Sequence, residues 1–340
     1  MDDVKVAIVG VGFMGKLYAR ILKQIPAAQL VAVCDLDEAP LKLFAAEQGM
    51  AVGVFPGGDA EAMLRRHPEI DAVFICTPED GHAEAACLAA NAGKHLFIEK
   101  PLATTIEDGK AIAAAVRGAG VKCMVGFCLR FDPRYSGAKD AVSRGEIGPV
   151  VHLYARRNSP LFILKRIGGR ASGTNWVGSH DIDIMLWINE SPVKSVFARD
   201  AGTASAEFPV EQAITSSLRF EDGSVAVLEN VWGTVAYPGR HDRIEFQVNG
   251  ARGTIEIHPV ETGLGVFREG SAAYPDTVYM PLLQGKIAGV YREEVEYFIE
   301  LVRGVRAPFS TVEDGLKALV VSDAIERSRR GKREVIVEEP

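Results

Sequence analysis

The stretch "VKVAIVGVGFMG", residues 4 to 15, constrains this chain more than any other. A short, β-rich, almost wholly apolar run leads into Gly10, Gly12 and Gly15 at G-x-G-x-x-G spacing. Met14, Leu17, Tyr18, Ile21 and Leu22 then recur on one helical face. The three glycines have separate uses in such a strand-turn-helix unit. Gly10 allows the turn, Gly12 lets the backbone approach a pyrophosphate at the helix N-terminus, and Gly15 lets the helix pack closely on the strand. Twenty residues after Gly15, Asp35 ends the next apolar run, "QLVAVCDLD". Its carboxylate can accept hydrogen bonds from ribose hydroxyls and would repel a 2′-phosphate, and the following Leu36-Asp37 brings no arginine to neutralise one. The expectation is a dinucleotide site that prefers NAD to NADP, with Gly10, Gly12, Phe13, Met14, Gly15 and Asp35 as contacts.

Three further runs, "IDAVFICTP", "HLFIEKP" and "VKCMVGF", have the same character, and alanine-rich helical segments lie between them. Apolar runs of this kind are parallel strands covered on both faces, and their alternation with helices predicts a doubly wound α/β domain over residues 1–126. The pattern then changes. "QAITSSLRFEDGSVAVLENVWG" and "RIEFQVNGARGTIEIHP" read as longer alternating strands joined at "EDGS" and "NGARG". Residues 292–331 read as two amphipathic helices split by "GVRAPFS". Residues 127–340 are therefore expected to form an α+β domain on a mostly antiparallel open sheet.

Composition removes several classes of function. A net charge of -7 offers no basic stripe for nucleic acid, "RSRRGKR" near the C-terminus being the one cationic cluster. No apolar stretch approaches the ~18 residues of a spanning helix. The five cysteines are odd in number and three sit in apolar runs, which points to a reducing cytoplasm. No metal site is expected.

Thr77 and Pro78 close one strand at its carboxyl edge, where open α/β sheets bind ligands, and Glu99-Lys100-Pro101 closes the next. Together with His82, "AGKH…EKPLA", "GFCLRFDPRY" at 126–135, "GEIGPV" at 145–150 and "GSHDID" at 178–183, they make the chain resemble, over essentially its whole length, the Gfo/Idh/MocA oxidoreductases. This is the family of glucose-fructose oxidoreductase and inositol dehydrogenase. The resemblance implies that Thr77, Pro78, His82, Glu99 and Lys100 lie against the cofactor and that Lys100 and His180 are the active-site pair. It also implies a cis Lys100-Pro101 peptide. Oxidation of a secondary alcohol needs one group to take the hydroxyl proton and another to stabilise the oxyanion, so His180 is expected as base and Lys100 as stabiliser.

In "NWVGSHDID" a helix starting near Ser179 places His180, Asp183, Ile184 and Trp187 on one inward face. The helix N-terminus disfavours a charged imidazole and Asp183 favours it, so His180 is expected to titrate near neutrality. Many family members carry an aspartate four residues before the histidine. Here that position is Trp176, beside Asn175. Asn175 or Asp183 is expected to orient the histidine and substrate, and Trp176 either to stack on a substrate ring or to pack in the core. Arg130, and Arg156 or Arg157, are further candidate substrate contacts.

The leading reading is an NAD-dependent dehydrogenase acting on a secondary alcohol of a polyol, cyclitol or sugar. The alternatives are an NAD-using glycoside hydrolase with transient sugar oxidation and a non-catalytic NAD-binding sensor. The open sheet has two faces and helices enough for one, so an exposed apolar strand face predicts a homodimer or homotetramer built through it.

Overall fold

The computed structural model describes residues 3–48, 52–167, 172–203, 207, 210–233, 243–258, 264–268 and 271–338. The chain divides into two compact units, one of residues 1–128 with 282–316 and the other of residues 129–281 with 317–340.

The first unit opens as β1 (Val4–Val9), α1 (Phe13–Leu22), β2 (Ala28–Asp35), α2 (Glu38–Gln48), β3 (Gly53–Pro56) and α3 (Ala60–Arg66). It continues as β4 (Ala72–Ile75), α4 (His82–Asn91), β5 (His95–Ile98), α5 (Ile106–Ala119) and β6 (Cys123–Val125). The strands form one parallel sheet in the order β3-β2-β1-β4-β5-β6. The order reverses between β1 and β4, which opens a ligand crevice at the carboxyl ends of these strands. Local sequence explains the helix ends. Thr105 Oγ1 accepts the Asp108 N–H at 3.1 Å to start α5, and Gly120, at φ +63°, ends it. Strand β3 was not among the expected runs, because only Phe55 of its four residues is buried and the segment carries little apolar signal.

The second unit runs α6 (Pro133–Ser143), β7 (Val150–Ser159), α7 (Leu161–Ile167), α8 (Ser179–Asn189), β8 (Val193–Thr203), β9 (Glu211–Phe220), β10 (Val225–Trp232), β11 (Arg243–Gly250) and β12 (Gly253–Ile257). A small hairpin of β13 (Val266–Arg268) and β14 (Ser271–Ala273) follows. In the first unit come β15 (Leu282–Leu283), β16 (Lys286–Ile287) and α9 (Val290–Val302), before α10 (Val312–Gly331) and, in the second unit, β17 (Val335–Ile336). The large sheet has the order β12-β11-β7-β10-β9-β8-β17 and is antiparallel except where β7 and β10 run parallel. Glu221–Ser224 and Ala251–Arg252 make the two hairpin turns where "EDGS" and "NGARG" stand. In "RFDPRY", Asp132 accepts the Arg134 N–H at 2.9 Å and Pro133 takes the first helical position, so the motif is the start of α6.

Two expectations are corrected. Helix α9 belongs to the first unit, not to a domain spanning 127–340. Its Phe298 packs edge-on against Phe74 and Phe97, at 5.2 and 5.6 Å between ring centres, and Lys122 Nζ caps its end on the Leu301 and Val302 carbonyls. An amphipathic stripe tells how wide the buried face is, not which sheet buries it. The open face of the large sheet is also not apolar. Leu153, Ala155, Leu218, Ala226, Leu228, Phe246 and Val248 point to the covered side. The other side carries the Arg156–Glu245 ion pair at 2.5 Å, Tyr154 and Asn158 both donating to Glu229, and Gln247 donating to Glu256, with Val225 and Val227 among them.

Candidate active site

Each glycine of the turn is required by its surroundings. Gly10 has φ +93°, and a Cβ there would lie 2.5 Å from the Cys76 carbonyl. A Cβ on Gly15 would lie 2.0 Å from the Gly10 oxygen, whereas one on Gly12 would meet nothing within 4 Å. The backbone is thus open at Gly12, where α1 begins without a side-chain cap and leaves its first N–H groups for an anion. Asp35 ends β2 with its carboxylate turned back to the turn. Oδ2 accepts the Val11 N–H at 2.6 Å and Oδ1 the Asp37 N–H at 3.0 Å. Each oxygen keeps acceptor capacity for a ribose hydroxyl, so these residues fit NAD. We expect NAD to bind at least tenfold tighter than NADP, about 1.4 kcal/mol, by calorimetry. Equal affinities would contradict the assignment.

After β4 the chain passes through Thr77, Pro78 and a turn at Glu79–Gly81 into α4, and after β5 through Glu99 to the cis Lys100-Pro101 peptide. Lys100 is half-buried at this carboxyl edge. Two neighbours expected beside the cofactor are held by hydrogen bonds within the protein. His82 is 1% exposed, with Nδ1 2.9 Å from the Pro101 carbonyl oxygen and Nε2 3.1 Å from that of Thr77. Its ring ties the two loops together. Burial pushes the imidazole below the usual histidine range, although both carbonyls favour its charged form. Glu99 is buried too: it accepts the Tyr18 hydroxyl on one oxygen and the Lys100 backbone N–H, at 3.1 Å, on the other.

In the second unit the approach to α8 is a π-helical turn, Thr174–Gly178, anchored where the Gly173 N–H donates to Glu211 at 2.8 Å. Wide turns of this kind recur at functional sites. It also changes the reading of His180, because the helix does not begin at Ser179 and presents no open N-terminus there. Residues Asp181 to Met185 of α8 are all buried, so its acids need counterions. Arg130 forms a two-pronged ion pair with Asp183, at 2.6 and 3.0 Å, and Arg157 one with Asp181, at 2.8 and 2.9 Å. Arg130, Arg157 and Asp183 were expected at substrate or in catalysis. The structure places them in buried pairs that hold α8, with the Arg130 guanidinium also 5.5 Å above the Trp187 ring.

Asn175 accepts a hydrogen bond from the Ser322 hydroxyl, which fixes the turn to α10. Trp176 packs in a cluster with Leu164, Val177 and Trp232, its ring centre 6.3 Å from that of Trp232. It is half-buried there. His180 itself is half-buried at the start of α8. The roles missed by sequence reading are those of the partners: Tyr18 read only as part of an apolar stripe, Glu294 carries no motif, and Asp181 stands in "GSHDID" with no sign of its arginine.

A glycine turn with an uncapped helix N-terminus, a carboxylate at the end of the next strand and a lysine on the same sheet edge are the features of a dinucleotide-dependent oxidoreductase. Residues 4–127 match the model of the oxidoreductase family with an NAD-binding Rossmann fold, and residues 135–256 match the GFO/IDH/MocA C-terminal domain. The chain is 31% identical over 337 residues to scyllo-inositol 2-dehydrogenase (NAD(+)) of Bacillus subtilis, covering 96% of this chain and 94% of that one. It is 29% identical over 344 residues to myo-inositol 2-dehydrogenase of Thermotoga maritima, covering 99% of each. Among solved structures, myo-inositol 2-dehydrogenase of Lactobacillus plantarum superposes with a TM-score of 0.85 at 25% identity, over 99% of this chain and 100% of that one. The chain belongs to the Gfo/Idh/MocA family of NAD-binding oxidoreductases.

Proposed function

We propose that this enzyme oxidises a secondary hydroxyl of a cyclitol of the inositol type, and that Lys100 and His180 carry the chemistry. The observation that supports the substrate class best is the likeness to inositol dehydrogenases along nearly the full length of both chains. NAD, held at Gly10, Gly12, Gly15 and Asp35, supplies the hydride acceptor. The Lys100 ammonium stabilises the oxygen as its negative charge develops, and the His180 imidazole takes the hydroxyl proton. The π turn and the Arg130–Asp183 pair hold α8, and hence the histidine, in position.

Trp176 is the reason to test substrates broadly, since it stands where many family members have an aspartate. A panel of inositols, linear polyols, sugars and nucleotide sugars with NAD, read both as NADH and as product, is expected to single out an inositol and yield its ketone. Glycoside cleavage without net NADH, or no turnover of any compound, would contradict the proposal. The reading extends to a reducing, cytoplasmic setting, supported by the five unpaired thiols, and to a homodimer or homotetramer formed through the open sheet face. The ladder of Tyr154, Arg156, Glu229 and Glu245 on that face suits a polar self-contact. A monomer by light scattering at micromolar concentration would refute the assembly.

A further inference from the structure

Behind the loop that carries Lys100, two carboxyl groups face one phenol inside an apolar wall. Glu294 on α9 and Glu99 after β5 are 0% and 8% exposed. The rings of Phe74 and Phe97 pack on Tyr18 of α1 and on each other, and Phe298 packs edge-on against both. The Tyr18 hydroxyl is in close contact with Glu99 Oε1 and lies 3.4 Å from Glu294 Oε2. Glu99 Oε2 accepts the Lys100 N–H, whereas Glu294 Oε1 meets no hydrogen-bond partner.

Counting protons assigns the charge. A phenol has one O–H, and here it goes to Glu99, which then holds two donors and can stay ionised. Glu294 gains a hydrogen bond to the phenol oxygen only by bringing a hydrogen of its own. Ionised, it would leave one oxygen bare in an apolar wall and set a like charge across the phenol. The other titratable groups facing the pair include the Cys76 thiol after β4, the Cys128 thiol after β6, the Tyr291 phenol on α9 and, toward Glu99, the Glu79 carboxyl group, and none of these supplies a positive charge. Burial raises Glu99 above the usual carboxylate range too, but there the Tyr18 hydroxyl, the Lys100 ammonium and the Lys100 N–H all favour the charged form, and Glu294 has only the phenol.

We propose that Glu294 is a neutral carboxylic acid at neutral pH that donates to Tyr18, so that Tyr18 donates to Glu99 and Glu99 holds the backbone of Lys100. Glu294 and Tyr18 are thus positioning residues for the active-site loop. Burial pushes Glu294 well above the usual carboxylate range, and the nearby Glu99 charge adds to it. The consequence for turnover rests on the role proposed for Lys100. The protonation state does not.

Two measurements test these parts separately. Infrared difference spectra of NAD-bound wild type against Glu294→Gln at pH 7.5 are expected to show the carbonyl stretch of a protonated carboxyl group lost in the variant. A difference containing only carboxylate bands would overturn the proposal. With myo-inositol, Tyr18→Phe and Glu294→Leu are expected to lower kcat about tenfold while NAD affinity stays within about twofold, and Glu294→Gln, which keeps a donor, to recover most of the loss. Unchanged kcat in Tyr18→Phe and Glu294→Leu would end the positioning role. If Lys100→Ala itself keeps full activity, the role of Lys100 fails, while the infrared result still decides the state of Glu294.

Discussion

Replacing His180 by Ala is expected to lower kcat by about 10²- to 10⁴-fold, the range for loss of a general base, with little change in NAD affinity because the histidine stands in the unit that does not carry the glycine turn. Lys100→Ala is expected to be at least as damaging, since it removes a charge that acts on the developing oxyanion. The pH dependence separates the two. A base must be neutral to accept a proton, so wild-type kcat/KM rises with pH through the imidazole ionisation, and that limb disappears in His180→Ala. Lys100→Ala keeps the limb at a lower ceiling. Should His180→Ala keep most of its activity and the same profile, the histidine only packs, and Lys100 or a bound water becomes the better candidate for the base.

Breaking the Arg130–Asp183 pair is expected to destabilise the enzyme by about 3–5 kcal/mol, because Arg130→Met leaves a carboxylate inside the protein without its counterion. The side chains are 4% and 2% exposed, so solvent cannot screen the loss. At roughly 2–4 °C per kcal/mol for a unit of this size, Tm falls by about 6–20 °C in thermal unfolding. The double variant Arg130→Met/Asp183→Leu, with both charges gone, is expected to recover much of it. A Tm for Arg130→Met within about 2 °C of wild type would show that the pair does not hold α8.

Much of the first unit was legible because its signals are local. The glycine spacing, the apolar strand runs and Asp35 each follow from a single stretch of chain, and the contacts of Gly10 and Gly15 bear out the uses assigned to them. The hairpins at Glu221–Ser224 and Ala251–Arg252 were legible for the same reason. Features set by distant partners were not. Arg130 looked like a substrate contact because its motif is distinctive, but its role depends on Asp183, 53 residues away. His82 likewise spends its ring on Pro101, and the stripe on α9 gave no sign that Phe74 and Phe97 would receive it. The π turn before α8 depends on Gly173 meeting Glu211 and on Asn175 meeting Ser322, so the helical period of "GSHDID" placed a helix start where the chain is already helical.

The central claim is that hydride passes from a carbinol carbon of an inositol to NAD. Incubation of the enzyme with NAD and myo-inositol deuterated at its ring carbons, followed by mass spectrometry of cofactor and product, tests it most directly. The account predicts one deuterium in the reduced cofactor for each ketone formed, and loss of both signals in Lys100→Ala. Ketone without label in the cofactor, or unlabelled cofactor alongside unchanged inositol, would contradict it.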